Sequence, residues 1–304
     1  MTLYIIGNGF DLKHGLLTSY NKFHEFLEKQ NQQELLDYFS NYFGLTNDWS
    51  DFENMLGKPN VKEILGDESD LIADDDEEGS STHTFSAKID QITELLTNGL
   101  RVQLNNWINT INPAIKNQKK IDIFDFNIDD YYLTFNYTKT LEELYKINPD
   151  NICHIHGIGK VIRCRPGDIP DDPSIVIGHS FDGIPDMPKM NNYGKPKSYL
   201  SYYEGILAIE EYFHKSYKYT ELIMKERDNK LFFDKYFLKD IDAINIIGHS
   251  LSNVDIQYFK EIAKNMKQNI TYNITYYGPN EKNKIINNSK FFIGNNAVNY
   301  IDIK

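Results

Sequence analysis

The 304 residues predict an α/β protein: a mainly parallel, Rossmann-like sheet carrying two helical insertions. Three observations lead there. Short β-branched or aromatic runs end in small polar residues, as buried parallel strands do where they deliver loops. A glycine turn follows the first run directly. Two long stretches of three- and four-residue apolar periodicity interrupt the alternation of strands and helices.

The runs, in order, are Leu3 to Ile6, Tyr131 to Phe135, Ile152 to Ile155, Ile175 to Ile177, Ala243 to Ile247, Thr271 to Tyr277 and Val298 to Ile301. In the first interruption Ile89, Ile92, Leu96, Leu100, Leu104, Trp107 and Ile111 mark one face of a long helix, with Ser86 placed to cap it. Tyr20 to Phe39 and Trp49 to Leu65 also read as helical, giving a first insertion over 20–115. The second covers 198–240, where Ile206, Ile209, Phe213 and Tyr217 share a face. The core is then 1–19, 116–197 and 241–304. Pro166, Pro170, Pro173, Pro185, Pro188 and Pro196 make its middle rich in turns and extended connections.

Composition narrows the function classes. The net charge of −12 provides no global basic field for phosphate backbones or anionic lipid, so general nucleic-acid binding is disfavoured. Eight of the acids lie between Asp67 and Glu78, and 67–82 is expected to be a solvated, mobile acidic loop. The apolar runs fall short of the ~18 residues a membrane-crossing helix needs. No charged and apolar leader precedes Leu3, and Cys153 and Cys164 are too few for a four-thiolate zinc module. The expectation is a cytoplasmic protein with reduced thiols, no membrane association, no prosthetic group and no metal. A homo-oligomer is the default assembly.

The candidate site residues gather at the ends of the predicted strands, the edge where open α/β sheets bind ligands. Leu3 to Ile6 opens into Gly7, Asn8, Gly9, Phe10 and Asp11, a turn able to bring backbone amides close to phosphates. The third glycine of the dinucleotide fingerprint is absent from its expected position, so an ordinary tight turn stays open. Thr134, Asn136 and Thr138 lie at the end of the second run, and His156 and Gly157 at the end of the third. A carboxamide can orient water or ribose hydroxyls, and an imidazole exchanges a proton near neutral pH. Gly248, Ser250 and Asp255 follow the run ending at Ile247, where Ser252 or Asn253 could cap a helix. Each of these residues also has a structural reading in a turn, a cap or the core.

The blocks IIGNGFDLKHGL, WSDFE (Trp49 to Glu53), FNYT, HIHG and GHSLSNVD together resemble the AbiH family of bacteriophage abortive-infection proteins. Three of them, in the same order, also resemble the sirtuin-like NAD-binding fold. That resemblance implies Asn136 and His156 as the residues serving NAD+ cleavage. It implies contacts to the dinucleotide from Gly7, Asn8, Gly9, Phe10, Asp11, Thr134, Thr138, Gly157, Gly248, Ser250 and Asp255. Thr138 stands where sirtuin-like sequences often carry an acid, and the paired CxxC module of the deacylases has no counterpart.

The implied function is a phage-defence effector that hydrolyses NAD+ to nicotinamide and ADP-ribose, released by a phage-derived trigger. A nucleotide-binding sensor or interaction module without turnover is the alternative. A third reading is a nuclease with a divalent cation held by Asp51 and Glu53 together with Asp11 or Asp255. On a helix, residues two apart diverge by ~200°, which speaks against Asp51 and Glu53 sharing a ligand.

Overall fold

The computed structural model describes residues 1–74, 84–121, 126–160, 175–181, 183–185, 187, 196–226, 228–267 and 269–304. The chain divides into two units. One, the sheet unit, comprises Met1–Lys22, Asn105–Val176 and Tyr219–Lys304; the other, mostly helical, comprises Phe23–Leu104 and Ile177–Lys218. These boundaries differ from those expected. Residues 219–240 join the sheet unit because Ile223, Phe232, Phe233 and Leu238 belong to its core, whereas 177–197 falls in the other unit.

The sheet contains β1 (Thr2–Ile6), β2 (Tyr131–Thr134), β3 (Ile152–His154), β4 (Ala243–Ile247), β5 (Thr271–Tyr276) and β6 (Ala297–Asp302). Their order is β3-β2-β1-β4-β5-β6, and every pairing is parallel. Doubly wound, Rossmann-like sheets share this order, with ligands bound where it reverses direction about the first strand.

Successive side chains of a strand point to opposite faces. Leu3, Ile5, Leu133, Ile244, Ile246, Tyr272 and Ile274 therefore enter one apolar cluster, with Tyr258, Phe259 and Ile262 of the helix Ile256–Asn265 packed on them. Tyr4, Ile6, Tyr132 and Ile247 enter a second cluster with Phe10, Leu141 and Tyr145. Burial on both faces explains why the central β1 reads as an unbroken apolar run, whereas β6 at the sheet edge is half-exposed. Each such side chain contributes about 1.5–3 kcal/mol. Asn273 donates to Asn245 at 2.7 Å and accepts from Asn299 at 2.9 Å, an amide ladder that fixes the register of β4, β5 and β6.

One expected strand is missing. Ile175 to Ile177 forms no ladder; Val176 N–H donates to the His156 carbonyl at 2.9 Å, prolonging the line of β3 by a single bond.

In the helical unit the expected long helix is realised as Thr84–Glu94, a π-helical turn Leu95–Gly99 and Leu100–Ile111, the last running on into the sheet unit. Ser86 does not cap it. The residue lies inside the first segment, and its hydroxyl donates to Glu204 at 3.2 Å. Tyr20 to Phe39 is broken at Asn31, whose φ is 54°, into Tyr20–Lys29 and Gln33–Phe43. Trp49 to Leu65 is likewise two short helices, Phe52–Met55 and Val61–Asp67. Within the acidic run, Asp70–Asp74 is helical and anchored by buried Ile72, so the loop expectation fails there; 75–83 lies outside the described residues. So do Cys164, Pro166, Pro170, Pro173 and Pro188. No described helix is long and apolar enough to cross a membrane.

Candidate functional site

Four strand ends of the sheet unit supply the candidate residues. β1 and β2 pair Ile6 with Thr134, and β2 and β3 pair Thr134 with His154, so Asn136 and His156 each follow a register partner by two residues. On the other side of β1, Ile6 pairs with Ile247, bringing the Gly7 and Gly248 turns together.

Those two turns are packed backbone on backbone. Gly7 N–H donates to Ile247 O at 2.9 Å, and Gly9 N–H to Gly248 O at 2.7 Å. A Cβ on Gly7 would lie 2.6 Å from His249 Cα, and one on Gly9 2.8 Å from Gly248 Cα. Gly248 itself has φ 62°, and a Cβ there would meet Phe10 N at 2.2 Å. The glycines are thus required by the close approach of two loops, and the amides of Gly7 and Gly9 are engaged with protein carbonyls. Asn8 donates its amide to Thr18 O at 2.8 Å, and Phe10 packs in the second apolar cluster.

Asp11 lies at the centre of this edge, 1% exposed. Thr138 donates to its Oδ2 at 2.5 Å and Thr140 to its Oδ1 at 2.7 Å. Burial pushes the carboxyl from its ordinary 3.8 up to about 6, against the opposing hydrogen bonds of Thr138 and Thr140, the nearby Asn136 carboxamide and the charge of His154. The Thr138 that replaces an acid in the sequence comparison is therefore the partner of one.

Asn136 is 7% exposed, and its backbone N–H is held by Thr134 Oγ1 at 3.1 Å. Its carboxamide lies near enough to Asp11 to favour the carboxylate. Yet neither Oδ1 nor Nδ2 completes a hydrogen bond of proper geometry among the described residues. A buried amide left so costs about 1–3 kcal/mol, a reason to look for a bound partner.

His156, 2% exposed, packs edge-on to Phe135 at 5.0 Å between ring centroids. Its Nε2 lies 3.5 Å from Asp255 Oδ1. Asp255 stands at the N-cap of Ile256–Asn265 without capping it through its side chain, and neither Ser252 nor Asn253 takes that position. Gly157 turns the chain after β3 with φ 80°, and Ser250 is exposed beside Gly248.

Three participants were not assigned a site role from sequence. His154 directs Nδ1 at the Asn136 carbonyl, 3.1 Å away, and Nε2 at Glu142 Oε1, 2.9 Å away. Both neighbours are acceptors, an arrangement that a doubly protonated ring satisfies. The other Glu142 oxygen is buried with no hydrogen-bond partner among the described residues. The third, His249, places Nε2 3.5 Å from Asp255 Oδ2. His154 and His249 lie within the HIHG and GHSLSNVD blocks and Glu142 follows FNYT by four residues, which is the signal that could have found them.

Asp51 and Glu53 have other partners. Asn54 donates to Asp51 at 2.6 Å, and the buried Lys218 ammonium to Glu53 at 2.6 Å. Among the described residues no group of three or more His, Cys, Asp or Glu side chains is placed to hold a metal ion.

Comparison with known proteins adds one finding. No curated protein matches the chain, and no solved structure matches it. Residues 3–276, which include all four of these strand ends, match the family model described as bacteriophage abortive infection AbiH, and the chain belongs to that family.

Proposed function

We propose that this abortive-infection protein is an effector that hydrolyses NAD+ at the nicotinamide ribosyl bond, yielding nicotinamide and ADP-ribose. The observation that supports the reading is the Asn136 carboxamide, more than nine-tenths buried, with neither polar atom completing a hydrogen bond of proper geometry among the described residues, at a strand end neighbouring that of His156. The Rossmann-like strand order supports it, since β1, β2 and β4 bring their loops to the ligand edge of the sheet.

In this reading Asn136 orients water or the ribose hydroxyls, and His156 is the base or hydroxyl ligand. Nicotinamide leaves readily because its pyridinium becomes neutral as positive charge develops on the sugar. Asp11, close to Asn136, provides negative charge near that developing cation. Phosphate contacts fall to Ser250 and Asn8, because the Gly7 and Gly9 amides are already engaged. General-base assistance of this kind contributes roughly 10²–10⁴-fold. Restraint before infection falls to the helical unit or to homo-oligomerisation, relieved by a phage-derived trigger.

Incubation of the purified chain with NAD+, following nicotinamide release, tests the reading. Asn136→Ala and His156→Ala should each abolish release while the fold persists. Binding of NAD+ or ADP-ribose with no product under activating conditions would instead establish the sensor. In cells, an NAD+ pool that stays constant during protection against phage would count against the effector.

A further inference from the structure

His249 sits in the turn after β4, 4% exposed, on the far side of Asp255 from His156. Its Nδ1 accepts the Leu251 N–H at 2.9 Å. A ring nitrogen that accepts carries no hydrogen, so the ring is the neutral tautomer protonated at Nε2. That Nε2–H faces Asp255 Oδ2 at 3.5 Å, and Asp255 Oδ1 faces His156 Nε2 at 3.5 Å. One carboxylate thus lies between two imidazoles.

The backbone around His249 is shaped to hold this aim. Gly248 has φ 62° and Leu251, fully buried, φ 54°. Leucine in the left-handed region costs roughly 1–2 kcal/mol, and such strain gathers at functional sites. Phe135 stands against both imidazoles, 4.4 Å from His249 and 5.0 Å from His156, each edge-on. It fixes the separation that the carboxylate spans.

We propose that His249 is a positioning residue: through its Nε2–H it holds Asp255, and Asp255 in turn orients His156 for proton transfer. The proposal rests on the NAD+ reading for its chemistry. The ring nitrogen of His156 that does not face Asp255 takes a proton from water as the water oxygen bonds the anomeric carbon. The electrons of the broken C–N bond leave with nicotinamide, and His156 later returns the proton to solvent. Asp255 stabilises the imidazolium in between, and His249 keeps that carboxylate in place. At 3.5 Å the two contacts are long for hydrogen bonds, as catalytic contacts often are before substrate binds.

The test is a titration of His156 followed by NMR in the full chain labelled in its histidine rings. Besides Asp255 and His249, the titratable groups whose rings lie against His156 among the described residues include Tyr258 on Ile256–Asn265 and Tyr137 after β2, and all variants retain both tyrosines. Asp255→Asn should lower the His156 midpoint by about one pH unit. His249→Asn retains an acceptor for Leu251 N–H but cannot reach Asp255, and should lower the midpoint in the same direction. His249→Gln restores a donor at the Nε2 position and should return it. A midpoint equal in all four proteins, or lowered equally by Asn and Gln at 249, overturns the relay. With NAD+, His249→Asn should reduce kcat by roughly 10- to 100-fold with KM within about twofold. A wild-type chain that releases no nicotinamide sinks the NAD+ reading, while the titration still decides the relay.

Discussion

Thr138 donates its hydroxyl to Asp11 across 2.5 Å, joining the loop after β2 to the short helix Asn8–Lys13 that follows β1. The carboxyl held there, at about 6 when folded against 3.8 ordinarily, binds its proton more tightly in the folded chain. Its contribution to stability is therefore full below about pH 3.8 and is lost as pH rises through 6. A shift of about two units corresponds to roughly 3 kcal/mol. Urea unfolding of the wild type and Asp11→Asn at pH 5 and 7.5 checks this. Relative to the variant, the wild type should be less stable at the higher pH; an equal difference at both pH values refutes it.

The unpartnered carboxamide of Asn136 makes an opposed pair of expectations. Asn136→Leu, of similar size, should leave stability unchanged or raise it by about 1–3 kcal/mol, because an unsatisfied buried amide disappears. Nicotinamide release should be lost in the same variant. Denaturant midpoints and the NAD+ assay measure the two effects, and a large loss of stability would show that Asn136 is structural.

Gly9→Ala places its Cβ 2.8 Å from Gly248 Cα, backbone that cannot move aside cheaply. Overpacking of this kind costs about 1–3 kcal/mol. Gly248→Ala adds the cost of a left-handed φ and should be worse. The order of urea midpoints, wild type above Gly9→Ala above Gly248→Ala, is the check.

In the helical unit Lys218 has a side chain with no exposure and lies 2.6 Å from Glu53, which is 17% exposed. Lys218→Met removes the cation and leaves the carboxylate largely buried, an effect of about 3–5 kcal/mol. Adding Glu53→Leu should recover most of that loss. A double variant as unstable as the single one would show that the two charges are not coupled.

Much of the sheet was legible because strands buried on both faces are mostly apolar; Leu3 to Ile6 and Ala243 to Ile247, the latter broken only by Asn245 of the amide ladder, fall on β1 and β4 for that reason. Ile175 to Ile177 has the same composition but a single backbone bond, and composition does not register whether a neighbouring strand is present. The site was legible as a set of strand ends. Its internal pairings were not, since Thr140 and Asp11 are 129 residues apart; nor was the Glu53–Lys218 pair of the helical unit, 165 apart. His249 looked like an ordinary turn residue because its tautomer depends on Leu251 N–H and its target lies six positions on. The glycines of the first turn suggested phosphate, whereas the observed need is contact with a second glycine turn that sequence alone does not bring near.

The central position of β1 has a consequence for biosynthesis. The first strand made pairs with β2 on one side and β4 on the other, so it must wait until residue 247 of 304 has been added before both edges are covered. A ribosome carrying any shorter nascent chain holds a protein whose paired turns do not yet exist. The catalytic reading proposed above draws on both turns, so a nascent chain that stops short of Gly248 lacks one wall of the site that reading requires.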